Sequence, residues 1–139
     1  MAYWLFKSEP DVWSWDDQVD KGAAGEEWHG IRNYAARNNM RTMVVGDRGF
    51  FYHSNTGKAM VGIVEVCRTS EPDSTTDDPR WDCVKIRAVV GFKRPVTLEE
   101  CKHLPGLEKM ILINNSRLSV QPVTAEEWAI VCELGGVDG

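Results

Sequence analysis

The chain has 139 residues, 42% of them hydrophobic and 27% charged, with a formal net charge of −5. That is the make-up of one ordinary folded domain spanning residues 1–139, large enough to bury roughly two-thirds of its unfolded surface. An acidic balance excludes a protein that grips many phosphates along a long basic groove, because such affinity scales with the phosphates neutralised. Any nucleic-acid contact must therefore be local.

No run of about 18 apolar residues occurs, so no membrane span is expected. The first residues, MAYWLFKSEP, lack the basic, apolar and small-residue regions of a secretion signal, and the expected location is the cytoplasm. Cys67, Cys83, Cys101 and Cys132 never form Cys-x-x-Cys, and His29, His53 and His103 show no His-x-x-x-His pairing. Reduced core thiols are expected, with no metal and no cofactor.

In chain order, residues 3–7 read as a strand stopped by Ser8-Glu9-Pro10. Ser14 can cap a short helix through Val19, with Asp16 and Asp17 in its first turn. Residues 21–27 (KGAAGEE) read as a flexible connection. Gly30 breaks the chain, and residues 33–40 read as a helix carrying Arg32 and Arg37 near its first and last turns. A first-turn arginine opposes the helix dipole, so Arg32 is expected to have another purpose. The plainer reading is a solvated helix anchored by Tyr34.

Residues 47–66 organise the chain. Two apolar runs flank Asn55-Thr56-Gly57, the pattern of a β-hairpin with a three- to five-residue loop. Alternation puts Phe51 and His53 on one face and Phe50, Tyr52 and Ser54 on the other. The second run, with Met60, Val61, Ile63, Val64 and Val66, suits a strand buried on both faces or closing a barrel.

Residues 69–80 (TSEPDSTTDDPR) predict a surface lid or mobile loop. Strand character returns over residues 81–90, where the more apolar alternate set excludes Trp81 and directs its indole away from the main core. Thr97-Leu-Glu-Glu and Thr124-Ala-Glu-Glu match the capping box and predict two short helices. The second places Trp128, Val131 and Cys132 on one stripe and ends at a left-handed Gly135. Residues 110–113 and 117–120 are short strand candidates, the latter closed by Pro122. With no regular βαβ alternation, these elements predict an α+β fold built on a small, mostly antiparallel β-barrel.

Catalytic motifs are absent. His53 and Ser54 are strand neighbours that face opposite ways, and neither a Gly-x-Ser-x-Gly elbow, a phosphate loop nor a His-Glu-x-x-His occurs. The zinc-deaminase pattern is missing too. Binding is the better-supported class. Trp4, Trp28, Tyr52 and Trp81 stand beside Lys7, Ser8, Arg32, Asn33, Ser54 and Asn55, the mixture an unstacked base needs. The alternative is that the six tryptophans simply fill a core. Arg32 and Arg37 could hold a flanking phosphate.

FKSEP (6–10), W-x-G-x-RN-x-x-ARN (28–38), GDRGFFYHS (46–54), GIVEV (62–66), DPRWDCV (78–84) and SRLSVQPV (116–123) together resemble the EVE domain family over nearly the whole chain. The resemblance implies a PUA-like barrel related in architecture to the YTH readers of methylated adenine. It also implies a reader of a modified base in DNA or RNA. By motif, Lys7 and Ser8 would border the pocket, and Trp28 would form one aromatic wall. Asn33 would read the base edge, with Arg32 and Arg37 at the rim. Tyr52 and Ser54 would line the floor, Trp81 would form the opposite wall, and Arg117 and Ser119 are further candidates. Truncating Trp28 is then expected to abolish binding with little change in melting temperature. The rival classes are a small-molecule or nucleotide sensor, favoured by the acidic charge, and an enzyme on modified nucleobases using Glu9, His29 or His53.

Overall fold

The structure, a computed structural model, describes residues 1–115 and 117–139. Ser116, the first residue of the SRLSVQPV motif, lies outside the described residues.

Strand β1 (Tyr3–Ser8) runs one residue past its expected end. Helix α1 (Trp15–Asp20) starts at Ser14, whose hydroxyl accepts from the Asp17 N–H while the Asp17 carboxylate accepts from the Ser14 N–H at 2.9 Å. This reciprocal cap satisfies two of the helix's orphan donors. The glycine-rich stretch that follows is ordered rather than a flexible connection. It forms a 3₁₀ turn (Gly22–Ala24) and then β2 (Glu26–Glu27), which pairs antiparallel with β5 (Asp82–Thr97).

Helix α2 (Tyr34–Thr42) is capped by Asn33, so Arg32 stands outside it and the expected conflict with the dipole does not arise. Its core anchors are Ala36 and Met40, whereas Tyr34 is half exposed. Strands β3 (Arg48–His53) and β4 (Ala59–Pro72) form the expected hairpin. β4 then continues through residues 69–72, which removes the first third of the expected lid. The polar run there is carried as strand because β5 pairs with it out to Pro72↔Asp82.

The predicted strand over residues 110–113 is instead a helical turn, α4 (Ile111–Asn114), following the short α3 (Leu98–Cys101). Met110 and Leu112 are buried there without alternating across a sheet. The strand expected at 117–120 begins at its far end, as β6 (Val120–Val123). Pro122 sits inside β6 rather than closing it, tolerated because β6 is an edge strand. Helix α5 (Ala125–Gly135) has the predicted Thr124 capping box, but its left-handed cap is Gly136 (φ 71°), one residue later than expected.

The six strands form one sheet in the order β2-β5-β4-β3-β1-β6. It is mixed, since β1 and β3 run parallel while the other pairs are antiparallel. Among the described residues no ladder joins β2 to β6, so the expected closed barrel is not formed by strand pairing. β2 offers only two residues, and Pro122 of β6 has no N–H to donate.

Both faces of the sheet are buried. Leu5, Phe50, Tyr52 and Ile63 pack against α5 through Trp128 and Val131. On the other face Phe6, Phe51, Val64 and Ile86 pack with Trp28 and with Ala36 and Met40 of α2. The alternation predicted for β3 is therefore observed, with Phe51 opposite Phe50 and Tyr52. A register shift between Phe51 and Tyr52 skips Val61 and brings Met60 and Ile63 onto the same side.

Candidate functional site

Two cavities meet at the C-terminal end of β1, and Lys7 and Glu9 line both. The first, about 310 Å³, is at the small end of the range for ligand pockets. Its apolar walls are Trp13, Trp28 and Ile31, with Ser8 and His29 beside them.

Trp28 is fixed from behind. Its ring meets Phe6 and Phe51 edge-on at 5.6 and 5.8 Å, and its backbone N–H donates to the Val84 carbonyl at 2.9 Å. Only 7% of the residue is exposed. Its indole N–H finds no acceptor among the described residues.

Trp13 is held differently. Its indole N–H donates to Gln18 Oε1 (3.1 Å), and the fully buried Gln18 donates in turn to the Ile86 carbonyl (3.1 Å). The Ser8 hydroxyl donates to the Trp13 carbonyl. Next along the chain, the Trp15 N–H donates to His53 Nε2 (3.0 Å), and the Trp15 ring lies so close over Gly62 that a Cβ there would collide with it. These contacts let β1, β3, β4 and β5 all locate one indole wall.

The cavity's carboxylates are Glu9, Glu26 and Glu27. The Ser74 N–H, 2.9 Å from Glu27 Oε1, holds that carboxyl below its ordinary range against the opposing pull of burial. The Cys83 thiol (3.4 Å) and Arg68 (3.9 Å) act in the same direction. Burial, reinforced by Glu27, pushes the Cys83 thiol up to about 12, so it stays a neutral donor. All four cysteines are free thiols.

The second cavity, about 500 Å³, lies on the opposite side of β1. Tyr52, Ser54, Arg117 and Ser119 line it, together with Asn55 and Lys58 from the hairpin tip. Burial lowers the Lys7 pKa and raises that of Tyr52 to about 12.

Arg32, Asn33, Arg37 and Trp81 line neither cavity and form a third cluster. Trp81, 8% exposed, belongs to neither core; Tyr34 stacks on it at 5.0 Å, and Arg32, Arg37 and Arg80 lie within 6.0 Å of its ring. Arg32 pairs with Asp73 at 3.1 Å. The Asn33 side-chain oxygen Oδ1 is taken up by its cap, accepting from the Ala36 N–H (2.9 Å).

Buried Asp73 also accepts from the Gly30 N–H (2.8 Å), the Thr75 N–H (2.8 Å) and the Thr75 hydroxyl. Burial alone would raise its carboxyl, but the Thr75 hydroxyl and these N–H groups, with Arg32, hold it far below the usual carboxylate range. Asp73 and Ser74 are thus tied to the Glu27–Arg32 segment. Trp81 is not the opposite wall of the base-sized cavity; Trp13 supplies the second indole.

The sequence reading missed Trp13 because it lies between a strand end and a helix cap and resembles a loop core residue. Its position three residues past FKSEP was the available signal. The predicted residues therefore divide three ways. Lys7, Ser8 and Trp28 come together in the first cavity, Tyr52, Ser54, Arg117 and Ser119 border the second with Lys7, and the arginine cluster stands apart.

Residues 2–134 match the EVE domain. The chain belongs to the EVE domain family. Mouse thymocyte nuclear protein 1 is 34% identical over 95% of this chain and 73% of its own length. A crystal structure of a protein from Agrobacterium tumefaciens, 60% identical, superposes with a TM-score of 0.97 over 99% of this chain and 94% of that one. The human THYN1 protein, solved in complex with 5-methylcytosine-containing DNA, is 31% identical with a TM-score of 0.90 and full coverage of both chains. A YTH domain from Zygosaccharomyces rouxii, 19% identical with a TM-score of 0.56, shares the fold.

Among the described residues no group of three or more His, Cys, Asp and Glu is arranged to hold a metal ion. No helix is long and apolar enough to cross a membrane.

Proposed function

We propose that this protein, acting as a single PUA-like domain in the cytoplasm, is a binding module that takes one modified nucleobase of DNA or RNA between Trp13 and Trp28. The observation that carries the reading is the pair of indoles on one 310 Å³ cavity, one of them with an N–H that no described residue accepts. A heterocycle removed from its stack regains about 1–3 kcal/mol per base from aromatic faces. With the base stacked on the Trp13 face and meeting the edge of Trp28, its ring nitrogens or exocyclic oxygen would accept from the in-plane Trp28 Nε1–H, and its amino group would donate to Glu9, Glu26 or Glu27. A carboxylate-lined pocket suits an amino-bearing edge such as that of cytosine or adenine. The 5-methylcytosine DNA bound by the human THYN1 protein supports cytosine as the first base to test.

Lys7 and Ser8 border the same pocket. Arg32, Asn33, Arg37 and Trp81 brace the loop that carries Trp28, through Asp73 and the Tyr34 stack.

The test is fluorescence anisotropy with single-stranded hexamers that differ in one base, using wild type and Trp28→Phe. Wild type should prefer one modified base. Trp28→Phe, which keeps a ring but removes the N–H, should lose about tenfold, near the worth of one hydrogen bond. Equal affinity for every hexamer would refute the reading.

A further inference from the structure

We propose that the second cavity is an oxyanion site for the backbone phosphate beside the base held in the first. Its lining is built for an anion. Lys7, Lys58 and Arg117 bring three cations to it against one carboxylate, Glu9, in a chain whose net charge is −5. Lys58 and Arg117 are exposed, and neither forms an ion pair with a described residue. Glu9 already accepts from the Asn55 side-chain amide at 3.3 Å.

The hydroxyls point the same way. Tyr52 is 97% buried (3% exposed) and lines this cavity, yet its hydroxyl has no hydrogen-bond partner among the described residues. The Ser54 and Ser119 hydroxyls on the same lining have none either. These hydroxyls reach the cavity and are free to donate to a ligand oxygen there. Burial raises Tyr52 to about 12, so the hydroxyl stays protonated even in alkaline buffer.

The hairpin tip adds a third observation. Asn55 (φ 67°) and Lys58 (φ 32°) are the non-glycine residues with left-handed backbone among those described, and both line this cavity. Such strain gathers at binding sites. Cations, hydroxyl donors and a strained tip in one 500 Å³ hollow match a tetrahedral oxyanion.

Lys7 and Glu9 line both cavities, so a base in one and its flanking phosphodiester in the other would lie either side of the end of β1. The phosphate assignment stands on the cavity's own lining; its placement beside a bound base rests on the reading above.

The experiment uses a single-stranded DNA hexamer with one 5-methylcytosine, titrated from low salt to about 0.15 M NaCl. The protein is wild type or the double variant Lys58→Gln/Arg117→Gln, both exposed positions. The variant should bind about 10- to 100-fold more weakly, the range for hydrogen bonds to charged groups. Its slope of log Kd against log salt should be shallower by about 0.7, one phosphate's share on a single strand. A neutral methylphosphonate at the linkage next to the modified base should weaken wild-type binding similarly and cost the variant little more. The nucleoside 5-methyl-2′-deoxycytidine should bind wild type and variant alike.

An unchanged slope and affinity in the variant would overturn the site, as would wild-type protein that fails to bind any hexamer. Suppose inorganic phosphate raises the melting temperature of wild type but not of the variant, while the methylphosphonate hexamer binds like its parent. The anion would then be free phosphate, and the backbone assignment would be overturned. Failure of the base reading looks different: modified and unmodified hexamers bind equally, yet the wild-type salt slope and its loss in the variant persist.

Discussion

The two cavities at the end of β1 share Lys7 and Glu9 but are built on opposite principles. The first has walls that are also core. Trp28 packs on Phe6 and Phe51, and Trp13 is tied through Gln18 to the Ile86 carbonyl. The second takes much of its chemistry from exposed ends, Lys58 at a hairpin tip and Arg117 in the segment before β6. Shape recognition is thereby placed where the fold is stiffest. Charge recognition is placed where side chains can change without disturbing packing. The contrast makes a stability forecast: changes at Trp28 or Trp13 should unsettle the protein, whereas changes at exposed Lys58 and Arg117 should alter binding alone.

The largest effect that could break this contrast is at Trp28. Trp28→Ala should abolish base binding and also lower unfolding stability by about 3–5 kcal/mol, the usual cost of emptying a buried aromatic site. This corrects the sequence-based expectation of an unchanged melting temperature, because the indole contacts core rings on its far side. Urea melts measure it, and a wild-type midpoint would mean the wall is not part of the core.

Gly62→Ala comes next. The new methyl would collide with the Trp15 ring, so Trp15 must shift and carry the neighbouring Trp13 wall with it. Overpacking of this kind costs about 1–3 kcal/mol. The same denaturant series, read beside anisotropy, should show stability and binding falling together.

Asp73→Asn should cost on the order of 1–3 kcal/mol, since it weakens a buried acceptor of several hydrogen bonds. The pH dependence has a definite sign. The folded Asp73 pKa is depressed below the ordinary 3.8, so its contribution is complete above that value and is lost as pH falls through the folded pKa. Wild type should therefore lose stability in strong acid more steeply than the Asn variant.

The smallest effect is at His53. Burial lowers its pKa from 6.5, and Nε2 accepts from the Trp15 N–H, so the folded state favours the neutral ring. Its contribution is complete above pH 6.5 and declines as pH falls toward the folded pKa. Removing the ring in His53→Gln should flatten the stability profile just below pH 6.5. An identical profile would exclude the link.

Much of the fold was legible in particular residues. The capping boxes at Thr97 and Thr124 and the Ser14 cap fixed helix starts through local hydrogen bonds, which sequence spacing reports directly. The alternation of Phe50, Phe51 and Tyr52 likewise followed from strand geometry. What escaped was set by tertiary pairing. β4 extends through Thr69–Pro72 only because β5 lies beside it, and the Ile111–Asn114 segment is helical although its apolar run suits a strand. Pairing also decides that β2 and β6 end the sheet rather than close it.

At the site, motif reading gathered Lys7, Ser8, Tyr52, Trp81 and Arg117 into one pocket. Side-chain direction divides them. Ser8 lines the first cavity and Tyr52 and Arg117 the second, while Lys7 lines both, so one set of motifs serves two cavities. Trp81 was separated because Tyr34 and three arginines cover it elsewhere.

The most direct measurement follows the six tryptophan indole N–H signals by nitrogen-15 NMR while a hexamer carrying 5-methylcytosine is added. Trp28, whose N–H has no described acceptor, should move most, and Trp13 should move with it. Trp4, bonded to Asp47, and Trp128, bonded to the Gly139 carbonyl, should stay put. Movement at Trp81 with Trp13 and Trp28 unmoved would contradict the account, placing the base on the arginine cluster instead.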